Sequence, residues 1–173
     1  MRKTRQVAAL PIRHREDGTI EVCLVTTRET QRWVIPKGWA TNKRTNAKMA
    51  ALEALEEAGL EGKISGKPLG FYRYFKRQIR TFELVRVEVF TMTVEKERKK
   101  WPEADQRERI WVSPAEAATM VVEPGLSALL ADFEPAGNDN SPPKKKKQRI
   151  KAPKQNPTKL TGGKGNSKKH KSP

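Results

Sequence analysis

The chain has 173 residues, a formal net charge of +16 and one cysteine, which bounds it to a single domain with a sizeable core and a short extension. A lone cysteine excludes an internal disulfide framework, and with it the small secreted scaffolds that depend on one. No apolar run reaches the length of a membrane span, and the run near the N-terminus, broken by Pro11 and Arg13, does not read as a secretory signal; a cytoplasmic protein is the expectation.

Val7 to Ile12 and Ile20 to Thr27 predict two strands joined by a hairpin-type turn at Glu16-Asp17-Gly18. Cys23 falls inside the second apolar run and is expected in the core. Trp33-Val34-Ile35 is a short apolar strand stopped by Pro36, and Pro36-Lys37-Gly38-Trp39 makes a tight basic corner. From Asn46, read as the N-cap, to Gly59, placed where a C-cap glycine belongs, the pattern predicts a helix. Ala47, Ala51, Ala54, Leu55 and Ala58 form one apolar, mostly small side of it, able to lie close against a sheet. Leu69 to Phe75 and Thr81 to Val94 predict a second strand pair around Lys76-Arg77-Gln78. Along the later strand Phe82 and Leu84 give way to Val85, Val87 and Val89, a phase change that marks a bulge.

Arg109 to Val112 is a further short strand. Ser113-Pro114-Ala115-Glu116 then supplies an N-cap, an N1 proline and a capping-box glutamate for a helix to about Met120. Leu126 to Phe133 reads as another helical piece. Trp33, Trp101 and Trp111 read as packing residues, and His14 and His170 have no partners at metal-ligand spacing. Strands and helices interleave, so the fold class is α/β, with a mixed sheet carrying helices on both faces.

Residues 1–135 make up this domain. Residues 136–173 hold twelve Lys and Arg against one acid, Asp139, and almost no aliphatic residue. Such a segment buries too little apolar surface to offset the entropy of ordering, and a disordered tail is expected. Its charge draws it to nucleic acid or polyphosphate in a salt-dependent way that carries little sequence information. Pro143 to Arg149 would serve as a nuclear localisation signal in a eukaryotic chain and as a plain basic tail in a bacterial one.

The predicted helix from 46 to 58 carries the chemistry. Glu53, Glu56 and Glu57 stand at i, i+3 and i+4, on one face. Like charges so placed repel, by a few tenths of a kcal/mol per pair, and a divalent cation is what relieves them. A solvated acidic helix face is the competing reading, and the strand and glycine corner just ahead of the helix favour a site.

Gly38, Glu53, Glu56, Glu57, Gly59 and Leu60 meet, without insertion, the spacing of the Nudix box, G-x5-E-x7-R-E-U-x-E-E-x-G-U. Ile35-Pro36-Lys37-Gly38-Trp39 resembles the form found in the branch of diphosphoinositol polyphosphate and dinucleoside polyphosphate hydrolases. The similarity runs from about Arg5 to Phe133 and takes in the later WPE…RERIWVSPAEA stretch. The resemblance implies the Nudix α/β/α sandwich and hydrolysis of a phosphoanhydride bond, with Mg2+ (or Mn2+) as cofactor and a small polyphosphorylated substrate as partner. Two positions depart from the pattern: Arg44 replaces the first box glutamate, and Leu52 replaces the arginine that in the family holds a box glutamate in place.

By the same resemblance Glu53 and Glu57 are metal ligands, joined by the Gly38 carbonyl. Glu56 is either the base or the ligand of a second ion. Arg28 and Arg32 match basic residues that hold phosphates in the resembling hydrolases, and Lys37 sits beside the loop glycine. Arg80 and Arg109 are further phosphate-binding candidates, and Trp39 a candidate to stack on a base or cover the site. A domain that has lost turnover and binds RNA or polyphosphate through the basic tail is the reading from another class.

Overall fold

The computed structural model describes residues 4–77 and 79–134; the tail expected at 136–173 lies outside them. Among these residues, eight strands form one mixed sheet: β1 (Arg5–His14), β2 (Ile20–Thr26), β3 (Trp33–Val34), β4 (Lys37–Trp39), β5 (Leu60–Ile64), β6 (Gly70–Arg77), β7 (Phe82–Glu97) and β8 (Arg109–Val112). Three helices accompany them: α1 (Asn46–Ala58), α2 (Pro114–Met120) and α3 (Pro124–Ala131). β1 runs parallel to β7 along its length, and every other pairing is antiparallel. The strand path is β3-β2-β1-β7-β5, with β4 on β1, β6 on β7 and β8 on β2.

Alternation along β1 and β7 sorts the core into two layers, as period two requires. Val7, Ala9, Phe90 and Met92 face α1 and meet Met49, Ala50, Ala54 and Ala58. Ala8, Leu10, Val85, Val87 and Val89 face α2 and α3, meeting Ala117, Leu126 and Leu130. The chain is therefore an α/β/α sandwich. Cys23 is fully buried in the α1 layer, where loss of solvation pushes its thiol up to about 12.

The first hairpin turns as predicted, with Gly18 at φ 80° and Asp17 accepting from the Thr19 amide and hydroxyl. The Ser113–Glu116 capping box is complete on both sides. The bulge expected near Leu84 is absent: β6 and β7 pair without a slip from Gly70–Val89 to Arg77–Phe82. Phe82 and Leu84 instead point outward on the opposite face from Val85, and both are exposed. The register shift on β7 falls against Glu61/Gly62 of β5, where a side chain at Gly62 would collide with the Thr93 carbonyl. The N-cap of α1 is Thr45, one residue before the expected Asn46. Its side chain accepts from the Lys48 amide at 3.4 Å, while Asn46 donates to Glu88 at 2.6 Å.

Candidate functional site

Ala50, Ala54 and Ala58 are fully buried against the sheet, so α1 lies close to it and its acidic face looks toward β4. A Cβ on Gly38 would overlap the Glu53 carboxylate, and that absence of a side chain lets strand and helix meet. One residue earlier, the Lys37 amide donates to Glu57 Oε2 at 3.0 Å. Glycine and glutamates from the box thus converge across about twenty residues of chain.

The segment between β7 and β8 closes the C-terminal end of α1. An α-helix leaves its last four carbonyls without intrahelical partners. Here the Gly59 amide, with Gly59 left-handed at φ 66°, takes the Leu55 carbonyl at 3.0 Å. The Glu103 amide takes that of Glu56 at 3.2 Å, Trp101 Nε1 that of Glu57 at 3.2 Å, and Arg109 Nη1 that of Ala58 at 2.6 Å. Each such bond contributes on the order of 1 kcal/mol. Together they bring Glu103 beside the carboxylates of α1.

Arg107 ties this arrangement together. Its guanidinium donates to Glu57 Oε1 at 2.5 Å, to Glu103 Oε2 at 2.5 Å and to the Thr26 carbonyl at 2.8 Å. Only 8% of its side chain is exposed. The box position for an arginine holds Leu52; the arginine that grips a box glutamate comes from fifty residues beyond Glu57. Arg28 stands at the outer side of Glu103, Nη1 to Oε1 3.8 Å.

Burial, then Glu57, Glu56 and Glu103 in that order, push the Glu53 carboxyl up to about 7, with Arg107 pulling back. Burial also raises Glu57, against the pull of Arg107, the Lys37 ammonium and the Lys37 amide. A second cluster lies on the opposite side of β4. Lys37 Nζ sits 6.0 Å from the Tyr74 ring centroid and Lys76 Nζ 4.7 Å from that of Trp39. Tyr74 donates its hydroxyl to Gln6 at 2.8 Å. Burial lowers the Lys37 ammonium below lysine's usual range, while Glu57 and Glu123 favour its charge. Arg32 Nη1 lies 3.9 Å from the nearly buried Glu123.

The predicted residues thus divide. Gly38, Glu53, Glu56, Glu57 and Arg28 gather around one acidic locus; Lys37, Trp39 and Arg32 gather around a basic, aromatic locus on the opposite side of β4. Arg109 is not a free phosphate ligand: it caps α1, pairs with Glu97 at 3.3 Å and stacks on Trp101 at 4.7 Å. Arg80 is exposed in the β6–β7 turn, and among the described residues no hydrogen bond or ion pair ties it to either locus. Trp33 and Trp111 pack against the core, and Trp101 packs on Gly59, as expected. Glu103, Arg107, Tyr74, Gln6 and Glu123 went unread in the sequence. Only the WPE…RER stretch, noted for its resemblance, signalled the first two.

No family model matches the chain. Nudix hydrolase 4 of Arabidopsis thaliana is 33% identical over 133 residues, covering 71% of this chain and 62% of that protein. Nudix hydrolase 13, mitochondrial, of the same plant is 27% identical over 124 residues, covering 68% and 61%. The chain therefore spans about three fifths of the length of these relatives. Among solved structures, a C. elegans Ap4A hydrolase binary complex superposes with a TM-score of 0.57 at 16% identity, covering 74% of this chain and 93% of that one. The NUDIX domain of Shewanella oneidensis NrtR, complexed with ADP ribose, gives 0.56 at 14%, covering 76% and 87%. Both likenesses establish the fold.

Proposed function

The chain belongs to the Nudix hydrolase family, and from that premise we propose that it is a divalent-cation-dependent hydrolase of phosphoanhydride bonds. Its substrate is nucleoside-diphosphate-linked or otherwise polyphosphorylated. The observation that carries this reading is Glu53, pressed onto Gly38 among Glu56, Glu57 and Glu103 and raised to about 7 by burial and by their charge. A fold retains mutually repelling carboxylates at a cost, and a cation removes that cost.

The donor set fits Mg2+, or Mn2+, because all its side-chain atoms are hard carboxylate oxygens. Among the described residues no three acidic, His or Cys side chains form a ready-made cage. The Glu57 oxygens already accept from Lys37 and Arg107, yet each retains a second lone pair. Glu53 and Glu57, with the Gly38 carbonyl, would hold the ion. Such a cation, when bound, offsets charge on a diphosphate and lowers the pKa of a bound water.

The chain's own residues do the rest. Arg107 fixes Glu57 and Glu103 in orientation, so that little reorganisation is needed when substrate arrives. Glu56, on the same helix face and less buried than Glu57, would take a proton from water or bind a second ion. Lys37, Arg32 and Arg28 flank the carboxylates on two sides and supply positive charge for the phosphate chain. Trp39 and Tyr74 offer ring faces for an aromatic group, which favours a dinucleoside polyphosphate over a diphosphoinositol polyphosphate. Glu57→Gln should abolish Mg2+-dependent turnover and leave the melting curve cooperative. Unchanged turnover in that folded variant would refute the reading.

A further inference from the structure

Three arginines stand in one row across three adjacent strands. In register, Arg73 of β6 lies opposite Arg86 of β7, and Arg86 lies beside Arg5 of β1. All three are exposed, and strand alternation puts them on the side of the sheet that carries Val7, Phe90 and α1. Like charges directly opposite one another destabilise a strand pair. Among the described residues none of the three is joined to an acid in an ion pair. Arg73 and Arg86 lie instead over the Phe71 ring, at 5.3 and 4.2 Å from its centroid. The next rows toward the β6–β7 turn carry more rings on the same face. Phe75 pairs with Leu84 and Arg77 with Phe82, and Phe75 and Phe82 are 69% and 70% exposed. An apolar cluster on a solvent face, rimmed by polar residues, marks a site of interaction. Glu88, opposite Phe71, is the acid on this face of the hairpin among the described residues, and its carboxylate accepts from Asn46.

We propose that this face of β6 and β7 binds single-stranded nucleic acid. The arginine row neutralises phosphates, and Phe71, Phe75 and Phe82 take the faces of unpaired bases. The site is separate from the hydrolase reading and stands whether or not the carboxylates turn over a substrate. Charge selects the occupant. A second copy docked through the same face would set arginine row against arginine row, and residues 136–173, with twelve Lys and Arg against one acid, carry the same sign. A polyanion instead relieves the repulsion within the row. A duplex offers phosphate but keeps its bases stacked on one another, so rings lying along a strand surface call for a single strand. α1 packs on this same side and, at about 10 Å across, stands above the row. A flexible strand follows that step, and a flat bilayer does not.

The test follows the anisotropy of a fluorescein-labelled, mixed-sequence single-stranded RNA titrated with the full chain, as wild type and as two double variants. Both pairs of positions are exposed, so each variant should keep a cooperative melting curve. Phe75→Ala with Phe82→Ala should weaken the single strand about tenfold, as for one lost stacking contact. Its affinity for inorganic polyphosphate and for an RNA duplex should not change, since neither offers a free base. Charge elsewhere on the chain is the same in wild type and in this variant, so the difference belongs to the rings. Arg73→Gln with Arg86→Gln should weaken the single strand and reduce the slope of log K against log salt by about 1.4, at roughly 0.7 per phosphate contact. DNA of the same sequence distinguishes the sugar: equal affinity assigns binding to bases and backbone, tighter RNA binding adds the 2′-hydroxyl, and either supports the proposal. Unchanged single-strand affinity in both variants, or an equal loss for polyphosphate in the phenylalanine variant, would overturn it. So would a wild-type dimer in sedimentation that becomes monomeric in the phenylalanine variant, or binding to phosphatidylserine vesicles that is lost there while RNA binding holds.

Discussion

Replacing Arg107 by alanine removes three charge-assisted hydrogen bonds at once, to Glu57, Glu103 and Thr26. It leaves Glu57, 7% exposed, as a buried carboxylate held by the Lys37 amide and the Lys37 charge, with the repulsion of Glu103 no longer offset by Arg107. Breaking a buried pair from one side costs roughly 3–5 kcal/mol. Water entering beside the partly exposed Glu103 puts this case at the lower end, near 3 kcal/mol. For a domain of this size that lowers Tm by roughly 10 °C. Thermal unfolding of the metal-free protein measures it directly. Arg107→Ala combined with Glu57→Gln completes a double-mutant cycle, and because the glutamine carries no charge the double variant should recover about 2 kcal/mol of the loss. A stability for Arg107→Ala within about 1 kcal/mol of wild type, with additive effects in the cycle, would refute the assignment of Arg107 as the residue that fixes Glu57.

Gly38→Ala should fold and lose most turnover, because the new methyl overlaps the Glu53 carboxylate; circular dichroism and an activity assay check both halves. Metal-free stability should fall as pH rises from about 4.5 toward 7. Glu53 holds its proton more tightly folded than unfolded, so its favourable contribution is complete below the unfolded value and is lost as pH passes about 7. Denaturant midpoints measured across that range should slope less in Glu53→Gln. Arg109→Ala should lower Tm by several degrees and leave KM unchanged, because the guanidinium caps α1 and stacks on Trp101; a KM effect without a Tm effect would restore it to the substrate site.

The box helix was legible because its signals are local: small residues at helical spacing, carboxylates on one face, glycine at the end. The capping box of α2 was legible for the same reason. β4 escaped as a strand because Lys37-Gly38-Trp39 is three residues without alternation, and it exists by pairing with Gln6 to Ala8. β5 escaped because Gly62 interrupts a short charged run, and that glycine is required by the Thr93 carbonyl. Arg107 and Arg109 could not be told apart in Arg107-Glu108-Arg109. Two residues apart, they share a face by strand alternation, and only the path of the segment along α1 sends Arg107 to Glu57 and Arg109 to the Ala58 carbonyl. Glu123, just before Pro124, reads as an ordinary helix start, and only the fold shows its carboxylate turned inward.

The most direct test is hydrolysis with Mg2+ of diadenosine tetraphosphate, a diphosphoinositol polyphosphate, a nucleoside triphosphate, ADP-ribose and a capped RNA, with Glu56→Gln alongside. The account predicts Mg2+-dependent turnover that is greatest on the dinucleoside polyphosphate and disappears in the variant. Absence of turnover on every member, with folded protein and Mg2+ present, would contradict it.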